Sequence, residues 1–283
     1  MNGTITKSVG GLYEVLCGKT VFICRARGRF KFDKVVPLVG DKVEIREIDK
    51  TTGYIIEIEQ RRNSLVRPKI ANIDNLFIIS CAAPPVSDLF FIDCLTLAAE
   101  YNNITPIICI NKCDINKGTH LQSIYNKAGI KTILCSAVKG IGIEEIFALM
   151  QNKISAFAGN SGAGKSTVLN AIDSGFAVKT NIISNKIGRG VHTTRHCELF
   201  ALKNGGFIAD TPGFSVIDSA QMGMTDKKRI MLCFPEFEVY LNKCQYSDCA
   251  HIAEDGCKII EATKKGEIAE SRYESYLKAI NIL

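Results

Sequence analysis

Residues 159–167 read GNSGAGKST, a match to G-x-x-x-x-G-K-[ST]. The apolar run ISAFAG at 154–159 leads into it, and a helical pattern at 167–172 follows. Strand, glycine loop and helix in that order are the context in which the motif forms a phosphate cradle. Gly162 and Gly164 let backbone N–H groups curl around an anion, and the helix N-terminus adds its positive end. The expected cradle comprises Gly159, Asn160, Ser161, Gly162, Ala163, Gly164, Lys165, Ser166 and Thr167. Lys165 would reach the β- and γ-phosphates, and the Ser166 hydroxyl would take Mg²⁺. A chain with this loop is committed to an α/β unit whose strand ends face a nucleotide.

The flanking sequence supplies the rest of that unit. Apolar runs at 76–80 (LFIIS), 106–111 (PIICIN) and 131–136 (KTILCS) alternate with helical patterns at 88–101, 120–127 and 143–151. Continuous apolar strands between helices predict a parallel sheet covered on both faces. The chain has 283 residues, 46% of them hydrophobic and 23% charged, which excludes a disordered or collagen-like chain. No run reaches the roughly 18 uninterrupted apolar residues of a membrane helix. The first residues alternate like a strand rather than forming a secretory leader, so the expected setting is the cytoplasm, without membrane attachment.

Asn111, Lys112 and Asp114 form NKCD directly after the strand PIICI. A carboxylate there can accept hydrogen bonds from guanine N1–H and the exocyclic amine, whereas adenine would leave it unpaired. Ser136 and Ala137, at the next strand end, supply a second guanine-side motif. With the phosphate loop, they select GTP and GDP over ATP. Asp210 opens DTPG, in which Asp210 would hold Mg²⁺ through water and the Gly213 N–H would meet the γ-phosphate. Residues 188–196, GRGVHTTRH, lie where a switch loop belongs, and Thr194, or failing it Thr193, could reach Mg²⁺.

The order of these motifs is unusual. NKCD and SA precede GNSGAGKST, which precedes HTT and DTPG, so the GTPase is circularly permuted. Close domain termini allow such rewiring without loss of the site. Phe214 follows DTPG at a position where many GTPases carry a water-orienting Gln. An apolar ring cannot orient water, which leaves His192, His196 or a partner to do so.

Two further segments flank the GTPase. Residues 1–66 alternate apolar and polar side chains between glycine turns and hold twelve Lys and Arg against eight Asp and Glu. An oligonucleotide-binding (OB) type β-barrel is expected. Residues 24–33, CRARGRFKFD, read as one strand would place Arg25, Arg27, Arg29 and Lys31 on a single face suited to RNA phosphates. Residues 60–69 read as a basic linker. Beyond residue 216 the pattern is helical, with nine basic and eleven acidic residues. There, Cys244, Cys249, His251 and Cys257 fall within fourteen residues, a closed donor set for one structural Zn²⁺. The chain therefore divides, as an expectation, into a barrel (1–66), a permuted GTPase domain (67–215) and a helical zinc-binding domain (216–283).

These motifs together resemble the ribosome small-subunit-dependent GTPase A family. The resemblance spans nearly the whole chain, including FPEF at 234–237, the cysteine–histidine knuckle and the tail GEIAESRYESYL. It implies a GTPase that binds the small ribosomal subunit and its rRNA late in assembly, is stimulated by it and leaves after hydrolysis. The family's switch-loop histidine corresponds to His192. Asn160 departs from the Gln common there, and little basic tail follows the last helix. A monomer is expected. The competing reading is a GTP-switched RNA-docking protein with negligible hydrolysis, which Phe214 keeps open.

Overall fold

Alternation in the first sixty residues produces five strands, each with one face of Ile, Val and Phe turned inward. In the computed structural model, which describes residues 1–28, 30, 35–65, 68–174, 197–210 and 226–282, these are β1 (Asn2–Val9), β2 (Leu12–Cys17), β3 (Thr20–Ala26), β4 (Lys42–Glu47) and β5 (Thr52–Ile58). Pairings run β1–β2–β3–β5–β4 and return from β4 to β1, so the sheet closes on itself. Among the described barrel strands only β3 and β5 pair in parallel. Closure removes the free edges that a five-stranded sheet would otherwise expose. Ile5, Val15, Phe22, Val43, Ile45 and Ile55 fill the interior.

The expected cationic strand over 24–33 is corrected. β3 stops at Ala26 and the chain turns at Gly28, where the Phe30 N–H donates to the Arg27 carbonyl at 3.2 Å. The turn lets the Phe30 ring join the barrel core, and that burial outweighs two more rungs of extended chain. Arg25 is therefore on the strand, while exposed Arg27 lies past its end. Arg29 and Lys31 are outside the described residues.

The expected linker at 60–69 is tied down at its start by Arg61, Arg62 and Asn63. Arg61 grips the fully buried Asp41 with two bonds, Nε to Oδ1 at 2.7 Å and Nη2 to Oδ2 at 2.8 Å. Arg62 pairs with Asp74 at 2.6 Å, and the Asn63 amide donates to the carbonyls of Ile73 and Asn103. Two short strands, β6 (Ser64–Leu65) and β7 (Ile70–Ala71), pair just after these anchors.

The parallel sheet forms as the apolar runs predict. Its strands are β8 (Asn75–Cys81), β9 (Thr105–Asn111), β10 (Lys131–Leu134), β11 (Ile154–Gly159) and β13 (Phe207–Asp210), in the order β10-β9-β8-β11-β13. Every residue of β8 and β11 is buried, as expected for strands covered on both faces. Helices α1 (Leu89–Tyr101), α2 (Thr119–Lys127), α3 (Ile143–Leu149) and α4 (Lys165–Ile172) connect them. Asp88 caps α1 by accepting from the Phe90 N–H at 3.2 Å. An antiparallel strand, β12 (Glu198–Ala201), flanks β13 and pairs in turn with β1, where Lys7 meets Glu198 at 2.9 Å. The barrel and the nucleotide-domain sheet are thus hydrogen-bonded into one eleven-stranded system.

The C-terminal region contains α5 (Lys227–Leu232), a 3₁₀ turn at Pro235–Tyr240, α6 (Lys258–Lys264) and α7 (Glu270–Ile282). Phe234, Phe237 and Tyr276 form its aromatic centre, with ring centroids 5.1–5.5 Å apart. Among the described residues no helix is long and apolar enough to cross a membrane.

Candidate nucleotide site and metal centre

In an open parallel sheet, ligands bind beyond the carboxyl ends of the strands. Those ends carry the predicted motifs: Asn111 closes β9, Ser136 and Ala137 follow β10, Gly159 closes β11 and Asp210 closes β13. α4 starts at Lys165, directing its N-terminus at the same edge. Two glycines of the loop are dictated by space. A Cβ at Gly159 would lie 2.2 Å from the Ile79 carbonyl oxygen, and one at Gly164 would lie 2.3 Å from Asn111 Nδ2. Gly164 also sits at φ +93°, a conformation that side chains disfavour. The loop therefore keeps the bare backbone that a phosphate cradle requires.

Asn111 joins the three segments. Its amide nitrogen donates to the Ala163 carbonyl at 3.0 Å, and its amide oxygen accepts from the Ala137 N–H at 3.1 Å. The phosphate loop, NKCD and SA are held by one buried side chain. The Cys113 N–H adds a bond to the Cys135 carbonyl at 3.1 Å. Ser136 closes its own loop through reciprocal backbone bonds with Ile141, at 3.0 and 3.1 Å. Lys112, at φ +63°, extends to the Pro84 carbonyl at 3.1 Å, and Asp114 is exposed beside it. Lys165 is half-buried, while Ser161, Ser166 and Thr167 are exposed. The backbone of Asp210 is placed at the end of β13; Gly213, His192, Thr194 and His196 lie outside the described residues.

Sequence reasoning missed the segment 82–88. It lies against the phosphate loop, since a Cβ at Gly162 would come 2.8 Å from the Pro85 ring, and it supplies the Lys112 acceptor. The pair of prolines after β8 was its one legible signal.

The second cluster is fully described. The donor atoms of Cys244, Cys249, His251 and Cys257 all lie within 4.8 Å of one another. His251 Nδ1 is 3.5 Å from the Cys244 sulfur and 3.4 Å from the Cys257 sulfur. A tetrahedral centre with Zn–S of about 2.3 Å and Zn–N of about 2.0–2.1 Å has N···S edges of about 3.5 Å, so the donor set fits. The surrounding bonds fix the donors. The Lys258 N–H points at the Cys244 sulfur at 3.3 Å, and Tyr273 and Tyr276 hydroxyls donate to the carbonyls of His251 and Ala250 at 2.9 and 2.7 Å. Burial disfavours charge on Glu254, but N–H groups of Glu254 itself, Ile252, Ala250 and Ala253 outweigh it and hold the carboxyl down at about 2.

A buried ionic cluster docks this region onto the nucleotide domain, and no local sequence pattern announces it. Arg272 is 1% exposed; it bonds Asp93 at 2.9 Å and Glu236 at 2.7 Å. Thr96 accepts from the same guanidinium at 2.9 Å, while Tyr125 and Ser275 donate to Asp93 at 2.8 and 2.6 Å. Burial opposes the Arg272 charge, but Glu236 and Asp93 outweigh it and hold the guanidinium more firmly protonated than usual.

Comparison with known proteins agrees with this architecture. A model described as RsgA GTPase matches residues 58–220, and one described as RsgA N-terminal domain matches residues 2–55. The chain belongs to the RsgA GTPase family. A relative from Ruminiclostridium cellulolyticum, named small ribosomal subunit biogenesis GTPase RsgA, is 42% identical over 99% of this chain and 93% of its own. A namesake from Caldanaerobacter subterraneus subsp. tengcongensis is 39% identical over 98% and 94%. Among solved structures, YjeQ from Thermotoga maritima superposes with TM-score 0.83 at 30% identity, covering 100% of this chain and 98% of its own. YloQ, described as a circularly permuted GTPase, has TM-score 0.83 at 31% identity over 99% and 94%. The family accounts for the permuted motif order, and the GTPase expectation from sequence stands.

Proposed function

We propose that the chain hydrolyses GTP while bound to the small ribosomal subunit, acting late in that subunit's maturation and being stimulated by it. The observation that carries the reading is the Asn111 junction, which ties the guanine-side motifs to the phosphate loop with two bonds of 3.0 and 3.1 Å. In this reading Asp114 accepts from the guanine edge, and Ala137 and the Lys112 stem enclose the base. Residues 159–167 wrap the phosphates, with Lys165 on the β- and γ-phosphates. Ser166 and Thr194 would hold Mg²⁺, and Gly213 would meet the γ-phosphate. The Mg²⁺, when bound, neutralises charge that develops between the β- and γ-oxygens. His192 is assigned the water-orienting role that Phe214 cannot fill.

Residues 1–66, 67–215 and 216–283 act as barrel, GTPase and zinc-binding units of a cytoplasmic monomer. Arg25, Arg27, Arg29 and Lys31 contact rRNA phosphates, and Cys244, Cys249, His251 and Cys257 hold one structural Zn²⁺. The names of the relatives support the ribosomal assignment. Displacement of labelled GDP by GTP but not ATP tests the guanine site. Asp114→Asn should erode that preference, and unaltered selectivity would remove NKCD from the site. His192→Ala should abolish subunit stimulation while GTP binding persists; an unchanged stimulated rate would move the role to His196 or to the ribosome. Phe214 favours one second reading, a GTP-switched docking protein that scarcely turns over.

A further inference from the structure

The outward face of the barrel carries a row of side chains in cross-strand register. Arg25 on β3 faces Leu12 on β2 and Tyr54 on β5, and Tyr54 faces Arg46 on β4. Neighbouring strands lie about 4.7–4.9 Å apart, so side chains paired across them on one face are neighbours. All four are exposed, Tyr54 and Leu12 by 41% and 42%. Neither arginine forms an ion pair among the described residues. Ile23, 40% exposed, lies one step along β3 on the same face.

We propose that Tyr54, flanked by Arg25 and Arg46, is a stacking subsite for an unpaired base of single-stranded RNA. This rests on the reading of the barrel as an RNA contact and adds to it the kind of RNA and the residue that selects it. An exposed phenol ring between two unpaired guanidinium groups offers a π-face with cations on either side. Phosphates take the cations, and a base takes the ring. A duplex cannot use the ring, because its bases are already stacked; an unpaired loop or strand can. The chemistry is sequence-tolerant, since every base has a π-face. Arg46 and Tyr54 fall outside the basic segment 24–33 and are brought to Arg25 only by the β3–β5–β4 pairing.

The test measures binding of the full zinc-loaded chain to a labelled single-stranded oligoribonucleotide and to a duplex of the same sequence, across a salt series. Tyr54→Ala should weaken single-strand binding roughly tenfold while leaving the salt slope and duplex binding unchanged. Tyr54→Phe should restore affinity. Arg25→Ala should instead lower the salt slope by about one for both RNAs. Normal single-strand affinity in Tyr54→Ala, with the wild-type salt slope intact, would overturn the stacking subsite and leave the phosphate-contact reading standing. Equal loss on both RNAs would also overturn it. A wild-type chain that binds neither RNA would defeat the RNA reading of the barrel itself. If Tyr54→Ala retains RNA affinity but loses binding to an RNA-free small-subunit protein, the face belongs to protein and the proposal falls.

Discussion

Asn111 is the residue on which the nucleotide site depends most visibly. Its two bonds replace contacts that the free loops would otherwise make with water, at a net gain of about 0.5–1.5 kcal/mol each. Asn111→Ala should therefore weaken GDP binding by roughly tenfold or more, measured by titration calorimetry, with the fold retained. Gly164→Ala should be harsher, because its Cβ would strike Asn111 Nδ2 and its backbone is held at φ +93°. An affinity for GDP unchanged in both variants would contradict the junction. The NKCD motif marked Asn111 as a guanine-side residue. It could not reveal that the acceptor is Ala163, 52 residues away across the sheet. Arg25 was legible from charge alone, whereas Tyr54 was not, because its partners are set by strand pairing rather than spacing.

At the scale of elements, the cysteine–histidine cluster and the buried ion cluster make separable predictions. The cysteine–histidine spacing was legible because a short knuckle is a local object, and the structure gathers the four donors as the spacing implied. Burial pushes the thiols of Cys24 and Cys233 up to about 11 and those of Cys94 and Cys135 up to about 12. A raised thiol pKa means less thiolate at any given pH, so these four should resist alkylation at pH 8. A chelator should release Cys244, Cys249 and Cys257 for labelling and lower Tm; labelling that is indifferent to chelation would exclude a bound metal.

Arg272 behaves differently. Its partners lie 179 and 36 residues away, so no local pattern in ESRYESYL could disclose them. Arg272→Ala would leave Asp93 and Glu236 buried without their cation, a cost of about 3–5 kcal/mol in denaturant unfolding. A change below about 1 kcal/mol, the range of exposed pairs, would show the cluster to be solvated.

For the whole molecule, the alternating and continuous apolar runs made both sheets predictable, since each period reports which faces are buried. Their fusion through β1 and β12 was not predictable. That contact is non-local and rests on a single register pair, Lys7 with Glu198, between strands with no shared motif. The same hairpin of β12 and β13 ends in Asp210, the first residue of DTPG, so the barrel is hydrogen-bonded to the strand pair that enters this motif. Lys7→Ala should cost less than about 1 kcal/mol of stability, as a half-exposed pair does. GTP turnover of the full chain with and without purified small ribosomal subunits, across a salt series, is the most direct test of subunit-stimulated hydrolysis. Slow turnover alone, clear acceleration by subunits and loss of that acceleration as salt weakens the proposed phosphate contacts are expected. Turnover that is the same with and without subunits at low salt would contradict stimulation by the subunit.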